Sequence, residues 1–253
     1  MILQEIIENK RTEIAERQQR VPLETLQLQV QSAPAPRSMT FDGEMSLIAE
    51  VKRRSPSQGT LASAIDPMEQ ARAYERGGAA AISVLTDERF FGGSFEDLRA
   101  VRDSVEIPVL CKDFILTPYQ VYEARAQGAD VLLLIVSTLD DETLITLHKL
   151  VLALGMAALV EVHDQHDLAR AIAAEARLIG INNRDLTDFS VDLVTTEYLA
   201  PLVPDDVVVV SESGVATRQD VQRAAAAGAR AVLVGEILMR SEDPAGTIQE
   251  LLG

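Results

Sequence analysis

The chain has 253 residues, 47% apolar and 25% charged, an ordinary composition for a soluble globular protein able to bury one sizeable core. Its 39 acidic against 23 basic residues give a formal charge of −16, which disfavours nucleic acid and anionic membrane as partners and requires any anionic ligand to be held by local cations or backbone N–H groups. A lone cysteine, Cys111, excludes an intrachain disulfide and a thiolate-rich metal site, and no run approaches the roughly 18 apolar residues of a membrane span.

The N-terminal stretch MILQEIIENKRTEIAERQQR is charged throughout and lacks the apolar segment of a signal peptide, so the expected location is the cytoplasm. Within it Ile2, Leu3, Ile6, Ile7, Lys10 and Ile14 fall at helical spacing, which predicts an amphipathic helix lying as a lid on the structure that follows. Residues 30–40 (VQSAPAPRSMT) read as a linker. Eight short apolar runs come next: LIAEVK (47–52), AAISVLT (80–86), PVLCKDF (108–114), DVLLLIV (130–136), AALVEVH (157–163), RLIGINN (177–183), DVVVVSES (206–213) and RAVLVGE (230–236). They lack strict polar alternation, as parallel strands buried on both faces do.

Helical signals fill the gaps. Asp66-Pro67 and Thr117-Pro118 are start signals answered by Gly77-Gly78 and Gly128, and Thr217 opens a segment that stops at Gly228. Leu144, Leu147, Val151 and Leu154 form one stripe that ends at Gly155. Eight strand–helix units in about this length predict an α/β fold, a (β/α)8 TIM barrel. The expected organisation is a single barrel domain over 1–253, with a helical extension at 1–45 and the barrel proper at 46–253. A doubly wound open sheet uses the same alternation, but no G-x-G-x-x-G follows the first run.

Polarity gathers at one end of the runs, where barrel active sites form. The first ends in Glu50-x-Lys52, the third in Lys112-Asp113-Phe114 and the fifth in Glu161; the sixth ends in Asn182-Asn183-Arg184 and the seventh in Ser211-Glu212-Ser213-Gly214. Side chains two apart on a strand share a face. Ile48, Glu50 and Lys52 therefore point one way, as do Leu110 with Lys112 and Leu159 with Glu161. Taking that face as the lumen leaves Ala49, Val51, Cys111, Val160 and Val162 to pack against helices. A slip of one residue would bury Lys or Glu under a helix, at several kcal/mol per ion. These charges could merely pair to fill the barrel top, but a site serving stability alone would more cheaply be apolar.

Other residues take plainer readings. Glu161-x-His163-x-x-His166 has the look of a metal cluster, yet His163 has outward parity, Asp164 suits a helix N-cap, and no second ligand cluster exists, so no metal is expected. His148 reads as solvated and Cys111 as a small core residue. SESG (211–214) and VGE (234–236) follow the last two runs, where barrels often hold phosphate on backbone N–H groups, with Lys52 as a local cation.

IAEVKRRSPSQG, ISVLT with FFGGS, VLCKDFI, ALVEVHD, IGINNRDL, VSESGV and LVGEILM occur in this order, and together they closely resemble the indole-3-glycerol phosphate synthase family. The resemblance covers about residues 46 to 240. It implies a carboxy-lyase without cofactor, closing the ring of 1-(2-carboxyphenylamino)-1-deoxyribulose 5-phosphate with loss of carbon dioxide and water. By the same resemblance Lys112 is a general acid, Glu161 a base, and Glu50 with Lys52 a set assisting dehydration, the division among these four being left open. Asn182 and Ser213 belong with the catalytic group. Ser55, Pro56, Ser57, Phe91, Phe114, Leu133, Arg184, Leu186 and Glu212 bind substrate, Arg184 suiting its carboxylate. Lys52, Ser213, Gly214, Val234, Gly235 and Glu236 hold the phosphate. Where Ser is usual the chain has Glu236, which can offer only its backbone N–H, and Asp185 replaces a usual Asn, implying an altered loop. The segment RRSPSQG is expected to form a mobile loop over the substrate. The expected partner is a small phosphosugar and the expected assembly a monomer or weak homodimer, with no nucleic acid and no membrane. Two alternatives are another phosphosugar barrel enzyme, such as phosphoribosylanthranilate isomerase, and a non-catalytic barrel that binds a sugar phosphate.

Overall fold

All eight apolar runs become parallel strands in a computed structural model, which describes every residue except 1, 42, 44, 56–58, 61–64 and 186–189 and the side chains of 55 and 60. Two helices, α1 (Ile2–Arg20) and α2 (Leu23–Ser32), precede strand β1 (Ser46–Val51). A short antiparallel hairpin follows, β2 (Arg54–Ser55) with β3 (Gly59–Thr60). The remaining strands are β4 (Ala81–Leu85), β5 (Val109–Lys112), β6 (Val131–Ile135), β7 (Ala157–Val162), β8 (Leu178–Asn182), β9 (Val208–Glu212) and β10 (Ala231–Val234). Helices α3 (Pro67–Gly77), α4 (Glu88–Phe91), α5 (Phe95–Ser104), α6 (Pro118–Ala126), α7 (Asp141–Ala153) and α8 (Gln165–Ala173) alternate with them. Helices α9 (Val194–Leu199), α10 (Arg218–Ala226), α11 (Glu236–Arg240) and α12 (Pro244–Leu252) complete the chain. The strands close in the order β1-β10-β9-β8-β7-β6-β5-β4, which makes the fold a (β/α)8 barrel.

The parity argument decides which face each residue takes. Ile48, Leu110 and Leu159 fill the lumen with Val131, Leu133 and Val210. Ala49, Val51, Cys111, Val160 and Val162 join the larger cluster between strands and helices. The start signals also act as expected. Asp66 accepts N–H bonds from Met68 and Glu69, Asp164 from Asp167, and Thr217 from Asp220. At the start of α6 the Gln120 side chain accepts from Leu116 and Thr117.

The extension departs from expectation. It holds two helices, so residues 30–32 of the expected linker close α2, and its residues 33–40 lack regular structure. That segment is tied to the barrel floor: Arg37 N–H donates to Asp130 at 2.8 Å and its guanidinium to the Ile107 carbonyl at 3.0 Å. His148 is buried in α7, not solvated, because it lies on the same helix face as Leu144 and Val151; burial lowers its basicity. Lys10 sits inside the apolar stripe of α1 with no exposed surface. Its Nζ meets Asp87 and Asp113 at 2.8 Å and Glu13 at 3.0 Å, so the stripe's one charge is the anchor of the lid. Among the described residues no helix is long and apolar enough to cross a membrane.

Candidate active site

Ending a barrel strand on a charged residue carries that charge to the barrel mouth, where Glu50, Lys112, Glu161, Asn182 and Glu212 converge on a cavity of about 640 Å³. Lys52, Phe91, Phe114, Leu133, Arg184, Ser213, Gly214, Val234, Gly235 and Glu236 also line it. Pro56, Ser57 and Leu186 lie outside the described residues, as does the side chain of Ser55. Hairpin strands β2 and β3 stand on either side of 56–58.

Lys112 Nζ lies between two buried carboxylates, 3.0 Å from Glu161 Oε2 and 2.5 Å from Glu212 Oε2. Burial works against its charge, but Glu161, Glu212 and Glu50 outweigh burial and hold the ammonium above the ordinary lysine range. Burial likewise opposes the charge of Glu161. Lys112, His163 and a hydrogen bond from Asn182 Nδ2 at 3.1 Å overcome it and keep this carboxyl below its usual range. Glu212 goes the other way: burial, with Glu161 and Glu50 nearby, pushes it up to about 7 against the pull of Lys112. The two carboxyls are thus shifted in opposite directions, Glu161 down and Glu212 up. Lys52 Nζ pairs with Glu50 Oε1 at 2.6 Å, so the two charges of the first run do stand side by side.

Two glycines make room for these carboxylates. A Cβ at Gly180 on β8 would overlap Glu212 Oε1 and come within 3.1 Å of its Cδ. One at Gly235 would lie 2.8 Å from Glu50 Oε1. Ser213, a non-glycine at φ 65°, and Gly214 at φ 85° are successive left-handed residues after β9, a turn that can gather N–H groups toward an anion. Buried Asn183 fixes that turn, donating to Ser211 Oγ and the carbonyls of Glu212 and Ser213 while accepting from Thr196.

The opposite wall is apolar. Phe91 and Phe114 have ring centroids 6.2 Å apart, and Ile2, Leu3 and Ile6 of α1 complete the roof. These three isoleucine and leucine residues, with Leu85, Ile135 and Arg240, are lining residues that the sequence reading missed. For α1 the helical stripe was the available signal, but it marks burial and not the surface buried against. Arg240 stands one turn after Glu236 and pairs with it at 3.3 Å. His163 requires a correction. Strand β7 ends at Val162, so parity no longer directs the next side chain, and the ring turns to within 3.3 Å of Glu161. The ligand-type atoms of Asp164, His166 and Asp167 lie within 4.8 Å of one another, with Glu161 outside that group.

Closed barrel, charged mouth and half-apolar cleft define a (β/α)8-barrel enzyme of the general acid–base class. The family profile described as indole-3-glycerol phosphate synthase matches residues 3–251. A protein of that name from Nocardioides sp. is 50% identical over all of this chain and 98% of its own length. Another from Dehalococcoides mccartyi is 48% identical with complete coverage of both chains, and one from Kineococcus radiotolerans is 56% identical over 82% of this chain and 76% of its own. The chain belongs to the indole-3-glycerol phosphate synthase family. Among solved structures, thiamine phosphate pyrophosphorylase from Pyrococcus furiosus superposes with TM-score 0.63 at 18% identity, covering 83% of this chain and 94% of its own. A 3-hexulose-6-phosphate synthase gives 0.61 at 19%, covering 82% and 98%. These two likenesses concern the barrel alone.

Proposed function

We propose that the chain converts 1-(2-carboxyphenylamino)-1-deoxyribulose 5-phosphate to indole-3-glycerol phosphate, carbon dioxide and water in tryptophan biosynthesis. We read it as one cytoplasmic domain, monomeric or weakly dimeric. The observation that carries the mechanism is Lys112 held protonated between Glu161 and Glu212.

Ring closure needs an acid. The aryl carbon bearing the carboxylate attacks the ribulose carbonyl, and the oxygen that gains the electron pair takes a proton from Lys112. Carbon dioxide then leaves with its bonding electrons returned to the ring. Dehydration follows: the new hydroxyl departs as water, Lys52 with Glu50 assisting, and Glu161 removes the proton whose loss completes the indole. A protonated lysine beside an ionised glutamate is the pair of states these steps demand. Asn182 holds Glu161 in line. Phe91, Phe114 and Leu133, with Pro56 and Leu186, take the aromatic ring. Arg184, with Ser55 and Ser57, takes the carboxylate. The N–H groups of Ser213, Gly214, Val234, Gly235 and Glu236 take the phosphate, with Lys52 as the cation.

The test is indole fluorescence on mixing the purified protein with the carboxyphenylamino substrate in chelator-treated buffer. Turnover is expected; folded protein that gives no signal would sink this reading.

A further inference from the structure

We propose that His163 is a positioning residue for this reaction, fixing Glu161 from behind as a second cation while never meeting the substrate. The proposal rests on the reading of Glu161 as a base. His163 is absent from the cavity lining, yet its ring is wedged between two carboxylates. Nε2 lies 3.3 Å from Glu161 Oε1 and Nδ1 lies 3.6 Å from Asp167 Oδ2. Neither nitrogen closes a hydrogen bond at these distances, so charge is what holds the ring there: an imidazolium is drawn to both anions, and a neutral ring is not.

The far side of this arrangement is built. Asp167, on the first turn of α8, accepts the His163 backbone N–H at 3.3 Å and gives its own to Asp164 at 2.8 Å. Arg170 Nη1 stands 3.8 Å from Asp167 Oδ1 and is itself held by the Val136 and Leu139 carbonyls and by Asp141. The charged groups facing His163 are therefore Glu161 from β7 and Asp167 from α8, with Arg170 behind Asp167. Lys112 of β5 and Glu212 of β9 lie beyond Glu161. Burial opposes the charge on His163, but Asp167 and Glu161 raise the pKa of its ring to about 10.

The division of labour follows from which oxygen each partner holds. Lys112 meets Glu161 Oε2, while His163 and Asn182 meet Oε1. An acid that hands its proton to the substrate becomes neutral, and at that moment Glu161 and Glu212 lose their shared ammonium. His163 stays charged on the other oxygen, so Glu161 remains an anion with Oε2 aimed at the proton it must remove.

The experiment is steady-state kinetics between pH 3 and 10 on the intact enzyme and on H163A, H163Q and D167N, with E161Q alongside. In H163A kcat is expected to fall about tenfold or more with KM within about twofold. Glu161 loses a cation that favours its ionised form, so the acidic limb of the kcat profile moves to higher pH. H163Q keeps a donor without the charge: it should restore part of kcat and leave the limb displaced. D167N should shift the limb in the same direction and add nothing in the H163A background. A residue that merely supports the fold would lower the melting temperature with kcat and limb unmoved. Folded H163A, or H163Q should H163A not fold, with a parental kcat and profile overturns the proposal. Parental activity in E161Q overturns the reading of Glu161 itself, and the proposal with it; an inactive E161Q beside a parental H163A overturns the His163 assignment alone.

Discussion

Lys112 is the charge on which its two neighbours depend. Lys112→Ala should lower turnover by roughly 100-fold or more, measured as indole fluorescence, with the far-ultraviolet circular dichroism unchanged. The fold survives because Glu212, already pushed up to about 7, can take a proton once the ammonium is gone. That raised value has a definite sign. A carboxyl titrating higher in the folded than in the unfolded chain contributes stability that is complete below its unfolded pKa of about 4.3 and is lost as pH rises through its folded one. Urea midpoints at pH 5 and pH 8 should therefore fall less in Glu212→Gln than in the parent. Gly180→Ala should displace the Glu212 carboxylate, since the new Cβ would overlap Oε1; kcat should drop and stability fall by about 1–3 kcal/mol, read from turnover and the urea midpoint. Glu50, Lys112 and Glu161 were legible in the sequence because the period of two holds to the end of each strand. Lys52 and His163 each stand one residue past a strand, where the period no longer binds; Lys52 keeps to the lumenal face and His163 departs from its expected one.

At the scale of elements, α1 is held by buried Ile6 and Ile14, by Arg17 on Glu123, and by Lys10, the fully buried charge among them. Replacing Lys10 with Met would leave Asp87 and Asp113 as buried carboxylates without their cation, a loss of about 3 kcal/mol or more. Because Ile2, Leu3 and Ile6 roof the cavity, the same change should raise KM more than it lowers kcat. Urea denaturation and substrate titration check the two halves separately. Helices α3, α6 and α10 were legible from their Asp, Thr and Gly boundaries, which act through local backbone bonds. Helix α4 and the β2–β3 hairpin were not, since elements of four and two residues carry no period to read. Lys10 was visible as a charge inside an apolar stripe, whereas its partners lie 77 and 103 residues away, at Asp87 and Asp113, and only closure of the barrel brings them to it.

For the whole molecule the contrast is between the field and the site. A chain of formal charge −16 repels an anionic phosphosugar at long range, while Lys52, Lys112, Arg184 and Arg240 line the cavity that receives it. Salt shortens the reach of the outer field to about 10 Å at 0.1 M and screens buried charges much less. Raising ionic strength from about 10 mM to 100 mM should therefore increase kcat/KM. A decrease would mean that the mouth cations already dominate at long range. Alternation and closure were both legible from the sequence, since eight strand–helix units are the count that closes a barrel, whereas the register by which β1 pairs with both β4 and β10 was not, because it depends on stagger and tilt.

The bare positions on β8 and after β10 also bear on how such a barrel can change by descent. Gly180 and Glu212 occupy one volume between them, as do Gly235 and Glu50. A larger residue at 180 drives the glutamate from its place, and a smaller one at 212 leaves a hole that glycine cannot fill. Each pair is thus a lock on drift. A lineage taking this scaffold toward another chemistry loses least when both members of a pair change together.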